Sequence, residues 1–162
     1  MTDQTSLSVY LNDHLAAATG GLELFRRVAG GHGGERGDEL RRLRDEARED
    51  VAALRSVMRR LDVPENRVMV TLGWLGEKAG RLKPNGYLVR RSPLADVIEL
   101  EGLRNAAHAE LCGWQVVRAF AVHDGRVPVT EVEALIERSE DRLARLYTLH
   151  LQAVQANLLT AG

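Results

Sequence analysis

One helical stretch, residues 40–61, carries an acidic residue in the middle of an apolar face. Seven positions there follow one another by three or four residues: Leu40, Leu43, Ala47, Asp50, Leu54, Val57 and Leu61. This spacing places them on one side of an α-helix that packs against a core. Asp50 therefore occupies a position at which the pattern predicts an apolar residue such as leucine. A buried carboxylate without a partner is costly, so Asp50 is expected to have one.

A second stretch, residues 100–121, repeats the same arrangement. Its positions also step by three or four: Leu100, Leu103, Ala107, Glu110, Trp114, Val117 and Ala121. Glu110 follows an alanine by three residues, as Asp50 does in the first stretch. We interpret Asp50 and Glu110 as a matched pair of carboxylates on two helices that face each other.

Four long helices are predicted, over about residues 6–28, 39–61, 93–122 and 130–159, with Ser92 as the start signal of the third. Glycine-rich residues 30–38 are predicted to separate the first two helices. Asp38 is the predicted N-cap of the second helix, and His32 is expected to be solvated. Thr130 and Glu133 suggest a capping box for the last helix. An additional short helix is predicted over residues 68–82, followed by a turn at Asn85-Gly86.

This order of elements predicts an all-α fold, a ferritin-like four-helix bundle with an additional short helix between the second and third long helices. The chain has 162 residues, which fits a single domain over residues 1–162. The formal net charge of −1 and the 4% aromatic content give no support for nucleic-acid binding. The lone Cys112 fits a reducing compartment, and no signal sequence or apolar run predicts export or membrane insertion, so a cytoplasmic location is expected.

Two interpretations explain the acids in the apolar seams. Carboxylates and histidines on facing helices form metal sites in helical bundles, and His14, His108 and His150 are available on three of the predicted helices. The alternative is a structural one, in which Asp50 and Glu110 form buried salt bridges with arginines of neighbouring helices. A salt bridge from either acid to an arginine would favour this second interpretation. Cys112 is more typical of a small core residue than of a reactive thiol.

Several segments resemble the ferritin-like bacterial stress proteins of the YciF type. The best is "NAAHAELCGWQVVRAFA", residues 105–121, which is similar to the third bundle helix of that family. "REDVAALRSVMRRLDV" resembles its second helix, "IERSEDRLARL" the acidic start of its last helix, and "VMVTLGWLGEKAGRL" falls where the family inserts a short helix. The resemblance covers most of residues 38–146, without a diagnostic motif.

The resemblance implies a di-iron site, but two expected ligand positions are altered. No acid lies between Asp13 and Glu23 on the first helix, and Asp50 stands at the expected histidine position. The candidate metal ligands that remain are Glu46, Asp50, His108, Glu110, Glu137 and Asp141, with His14 as a substitute. We therefore expect a degenerate or absent metal site and a non-catalytic stress-related or binding role.

Two alternatives stay open. One is an iron- or manganese-binding protein with oxidative-stress or ferroxidase-type activity. The other is a histidine-based metal bundle similar to the DinB fold, using His14, His108 and His150. A homodimer is expected in each case, with the predicted helix 68–82 either at the dimer contact or covering one end of its own bundle.

Overall fold

The computed structural model describes residues 4–66 and 93–159, and all regular structure in these two ranges is helical. Four helices are present: α1 (Gln4–Gly30), α2 (Gly34–Arg60), α3 (Pro93–Asp124) and α4 (Val129–Leu158). For the described residues, the prediction of an all-α fold with four long helices is thus confirmed. The predicted short helix 68–82, the Asn85-Gly86 turn and the Ser92 start signal lie outside the described residues.

The predicted helix caps are wrong at both starts where they were assigned. α2 begins at Gly34, because the amide of Gly37 already donates to the carbonyl of Gly33 at 3.2 Å. Asp38 therefore lies inside the helix, where its carboxylate accepts from Arg41 at 2.5 Å.

At the start of α4, Pro128 occupies the N-cap position with extended backbone and no side-chain cap. Its carbonyl accepts from the amides of Glu131 and Val132 at 3.2 and 3.4 Å. Glu133, the predicted capping-box partner of Thr130, instead accepts from Nε of Arg118 on α3 at 3.0 Å. The cap prediction fails because α4 begins at Val129, so Thr130 lies inside the first turn of the helix.

His32, which was expected to be solvated, is packed between the helix ends. Its side chain is 9% exposed. Nδ1 lies 2.8 Å from the carbonyl of Val28, and Nε2 lies 3.3 Å from a carboxylate oxygen of Asp96 in the first turn of α3. The glycine-rich turn is thereby joined to the start of α3.

The helices form two antiparallel hairpins. At one end of the first, Nδ2 of Asn12 near the start of α1 donates to the carbonyl of Pro64, just beyond α2, at 3.1 Å. The second hairpin closes through residues 125–128, and its helices pair Arg118 with Glu133 and Glu110 with Arg142. Each hairpin therefore has its own short connection and its own lateral contacts.

The two hairpins pack so that α1 lies against α3 and α2 faces α4. Because Arg60 near the end of α2 pairs with Glu131 at the start of α4, these helices are antiparallel. α1 and α3 are antiparallel as well, since Gly21 faces Ala106 while His14 faces Gly113. It follows that α2 and α3 run in the same direction, so α2 ends and α3 begins at opposite ends of the bundle.

The core follows the predicted seams of α2 and α3 closely. All seven predicted positions of α2 are buried, Asp50 included, and in α3 only Glu110 retains partial exposure. On α1 the sequence spacing predicts an inner face of Leu7, Tyr10, His14, Ala17, Gly21, Leu24 and Val28. The buried face is rotated from this prediction by about one residue, with Leu11, Leu15 and Phe25 inside. No helix in the described ranges combines the length and apolar character that crossing a membrane requires.

The spacing between helices differs on the two sides of the bundle. α1 and α3 approach closely: a Cβ on Gly21 would lie 3.1 Å from that of Ala106. α2 and α4 have the fewest close backbone approaches among the neighbouring pairs. The wider α2–α4 seam leaves room for long charged side chains, and these form the candidate site.

Candidate functional site

Arg142 on α4 lies at the centre of the bundle with none of its surface exposed. The inner seam of α4 explains why: its members step by three or four residues, and they are Val132, Leu135, Ser139, Arg142, Leu146, Leu149 and Ala153. Arg142 is therefore carried into the core by the same periodicity that buries Asp50. An arginine that is completely buried requires hydrogen-bonded carboxylates around it.

Two acids from two other helices meet the guanidinium of Arg142. Nη2 donates to Oδ2 of Asp50 on α2, and Nη1 donates to Oε2 of Glu110 on α3 at 2.8 Å. A third acid is near, because Oε2 of Glu46 lies 3.6 Å from Nε without a hydrogen bond. The structure thus shows the salt-bridge alternative that the sequence left open: one arginine joins three helices through the matched pair of carboxylates.

Two further arginines of α4 extend the cluster along the α2–α4 seam. Arg138 donates to Oδ1 of Asp50, so that both oxygens of this carboxylate hold a guanidinium. Burial, together with the charge of Arg142, lowers the pKa of Arg138. Asp50 is consequently the point at which two arginines meet.

Arg145 forms the other end of the cluster. Its guanidinium donates to Glu39 at 2.6 Å, to Glu46 at 2.8 Å and to Asp141 at 3.0 Å. Burial alone would lower the pKa of Arg145, but the three carboxylates raise it overall. The hydrogen bond from Arg145 lowers the pKa of Glu39. We call Arg138, Arg142, Arg145 and their carboxylate partners the arginine cluster.

Within the arginine cluster, Glu110 lies in an environment that disfavours its negative charge. Burial raises the pKa of Glu110, against the opposing effect of Arg142. The direction is physically reasonable because the single charge of Arg142 also faces Asp50 and Glu46. The remaining oxygen of Glu110 receives only a long contact of 3.4 Å from Nε1 of Trp114.

The raised pKa of Glu110 predicts a pH-dependent contribution to stability. The folded protein holds this proton more tightly than the unfolded chain, in which the carboxyl has its ordinary pKa of 4.5. The contribution is therefore complete below about pH 4.5 and is lost as the pH rises through the folded-state pKa. Urea unfolding at several pH values should show the free energy of unfolding of the wild type falling, relative to that of Glu110→Gln, as the pH rises. A wild type that gains stability relative to Glu110→Gln over the same range would contradict the raised pKa.

His14 lies on the face of α1 that packs against α3. Its ring is 4.4 Å from that of Tyr10, and burial lowers its pKa, which favours the neutral form. The position across from it must be glycine, because a Cβ on Gly113 would fall 2.8 Å from Nδ1 of His14. Close packing between α1 and α3 thus holds the imidazole in place.

A small cavity separates His14 from Asp50 and Glu110. It is otherwise lined by apolar side chains, including Leu54 and Trp114. The space available to the centre of a water-sized sphere is about 20 Å³, which is room for about one water. Among the described residues, this cavity therefore has no space for a small-molecule substrate.

The other predicted site residues lie apart from Arg142. His108 and Glu137 are exposed, and Asp141 is exposed beside Arg145. Nδ1 of His150 lies 2.8 Å from Nη1 of Arg104. Cys112 is a half-buried free thiol. Of the seven candidate ligands, the structure therefore brings Asp50, Glu110 and Glu46 together, with His14 across the cavity.

In the described ranges, no group of three or more histidine, cysteine or acidic side chains has the geometry to hold a metal ion. This result agrees with the contacts of Asp50 and Glu110, whose carboxylates already bind the guanidinium of Arg142. A metal at this position would have to displace the guanidinium of Arg142.

The YciF-type resemblance is spread over residues 105–121 and the neighbouring helices, without a diagnostic motif. The iron or manganese chemistry and the stress-related role that it implies remain predictions from the sequence. Compared with protein-family models, curated proteins and solved structures, the chain has no match.

Proposed function

We propose that this chain is a ferritin-like bundle with a degenerate metal site, in which Arg142 takes the place of the metal. Its role is then non-catalytic: it binds a partner through its surface, in the stress-related setting that the resemblance implies. One observation carries the proposal, namely that Arg142 donates to both Asp50 and Glu110. These are the two carboxylates that the sequence offers as interior ligands.

The chemistry of the arginine cluster supports a structural role for these acids. A catalytic metal centre needs ligand oxygens with free lone pairs and an open coordination position. In this chain both oxygens of Asp50 accept from guanidinium groups, and one oxygen of Glu110 does the same. A guanidinium supplies positive charge but has no vacant site for oxygen or peroxide. It always carries its charge, so the acids keep their partner at any ordinary pH.

The directions of the helices support the ferritin-like part of the proposal. Bundles of that type join two antiparallel hairpins by one long connection that crosses the bundle. The same arrangement is consistent with the parallel course of α2 and α3. It is also consistent with the length of chain between Asn66 and Pro93.

The size of the interior cavity supports a surface role. Binding sites for small molecules have volumes of about 300 Å³ or more, whereas the space beside His14 holds about one water. The exposed faces of the helices are the remaining place for a partner. A binding role at the surface therefore requires no change in the packing of the core.

Metal analysis tests the proposal directly. The protein would be purified without chelator, incubated anaerobically with ferrous iron or manganese, desalted and measured by inductively coupled plasma mass spectrometry. We expect no stoichiometric metal, because Arg142 competes for the same oxygens. Asp50→Ala and Glu110→Ala are the matched variants. Near-stoichiometric metal in the wild type that is lost in both variants would favour the iron- or manganese-binding alternative.

A further inference from the structure

α4 has a second seam, on the side opposite to Arg142. Its members step by three or four residues, and they are Ala144, Tyr147, Leu151, Val154 and Leu158. Tyr147, Leu151 and Leu158 are exposed, while Val154 is partly buried against the core. We call these five residues the outer seam. Apolar residues repeating in this way are typical of a helix that packs against another helix on that side as well.

Four of the five residues of the outer seam, all except Ala144, lie in a part of the chain without charge. Residues 146–162 contain no Asp, Glu, Lys or Arg, whereas residues 131–145 contain eight of them. Depletion of charge combined with exposed aromatic and aliphatic side chains is typical of the centre of a protein interface. The outer seam is thus distinct from the salt-bridged surface of α2 and of the first half of α4.

The start of α3 lies near the same end of the bundle as the outer seam. This follows because α3 and α4 are antiparallel and Arg104 contacts both Tyr147 and His150. Leu94 and Ile98 are exposed apolar side chains in that part of α3.

We propose that the outer seam is a homodimer interface, in which α4 packs antiparallel against α4 of a second copy around a two-fold axis at Leu151. In this arrangement Leu151 meets the Leu151 of the other copy, and Tyr147 meets Val154. Ala144, the smallest residue of the outer seam, meets Leu158. Large side chains are thus placed against small ones away from the axis, and the contact spans about 21 Å of helix at 1.5 Å per residue.

A second copy is favoured over a different protein by this self-complementarity. In a two-fold contact, residues near the axis face their own counterparts, so a charged residue there would meet a like charge. The uncharged sequence around Leu151 satisfies this condition, and the charged first half of α4 does not. The inference does not depend on the arginine cluster, which faces the opposite side of α4.

Oppositely charged variants at the proposed axis provide the test. Sedimentation velocity of the full chain over about 1–100 µM detects a dimer whose dissociation constant is micromolar or lower. We expect a concentration-dependent dimer for the wild type. Leu151→Glu and Leu151→Lys should each weaken it by about a hundredfold or more, because like charges meet at the axis. An equimolar mixture of the two variants should form a dimer again.

Gln152→Glu is the matched control, since Gln152 is an exposed neighbour that lies off the outer seam. It adds the same charge and should leave dimerisation unchanged, and circular dichroism melts would verify that every variant is folded. A wild type that is monomeric throughout would overturn the proposal, including the case in which residues 67–92 of the same chain cover the outer seam. Dimers that survive both Leu151 variants, or variants that do not pair when mixed, would overturn it too.

Discussion

Replacing Arg142 with methionine is expected to lower the free energy of unfolding by about 3–5 kcal/mol, the cost of removing one partner from a buried ion pair. Methionine retains much of the length of the arginine stem, so the main loss is the guanidinium. Glu110 then loses its only close cation among the described residues, and Asp50 retains only Arg138. Urea unfolding followed by circular dichroism at neutral pH measures the change.

Arg42→Met is the matched control. Arg42 lies on the surface of α2 with its side chain 71% exposed, and it pairs with Glu39 at 3.2 Å. Ion pairs of this kind contribute little, so the control should change stability by less than about 1 kcal/mol. If Arg142→Met proved as mild as Arg42→Met, the arginine cluster would not be a stabilising centre, and the reason for an interior arginine would have to be sought elsewhere.

The helices were predictable because most of their buried positions are apolar and regularly spaced. On α2 and α3 the spacing gave the correct inner face, even though each face includes an acid. The helix starts were not predictable to the same degree. Asp38 and Thr130 are good capping residues by type, but the chain enters α2 through Gly33 and α4 through Pro128. Capping preferences are local and weak, and both helices begin before the residue that these preferences favour.

For Asp50 and Glu110, the sequence predicts the kind of partner, a cation or a hydrogen-bond donor, but it does not identify the residue. Burial of a carboxylate requires a cation or a donor, and spacing along one helix does not tell which side chain of another helix supplies it. Arg142 nevertheless carried the same signal as Asp50, because it falls in an unbroken step of three or four residues between Ser139 and Leu146. The same spacing also allows a face of Ile136, Ser139, Leu143, Leu146, His150 and Ala153, and this predicted face includes Leu143 in place of Arg142.

For the replacement of Asp50 with leucine, the apolar pattern and the structure predict opposite changes in stability. The pattern alone predicts that a leucine at this position completes the seam of α2 and stabilises the protein. The contacts predict the reverse, because the change leaves Arg142 with only Glu110 at hydrogen-bonding distance and leaves Arg138 with Glu49. We expect the free energy of unfolding to fall by about 2–4 kcal/mol, since a buried charge loses its closest partner.

Asp45→Leu is the control for this prediction, since Asp45 lies on the same helix with its side chain 42% exposed and should tolerate the change within about 1 kcal/mol.

The double variant Asp50→Leu with Arg142→Met removes both members of the buried pair. Replacing both partners by apolar groups is often neutral, so the double variant should be more stable than Asp50→Leu alone. An Asp50→Leu variant that is more stable than the wild type would mean that the seam needs no acid. A double variant less stable than either single one would mean that Arg142 has a role in packing beyond its charge.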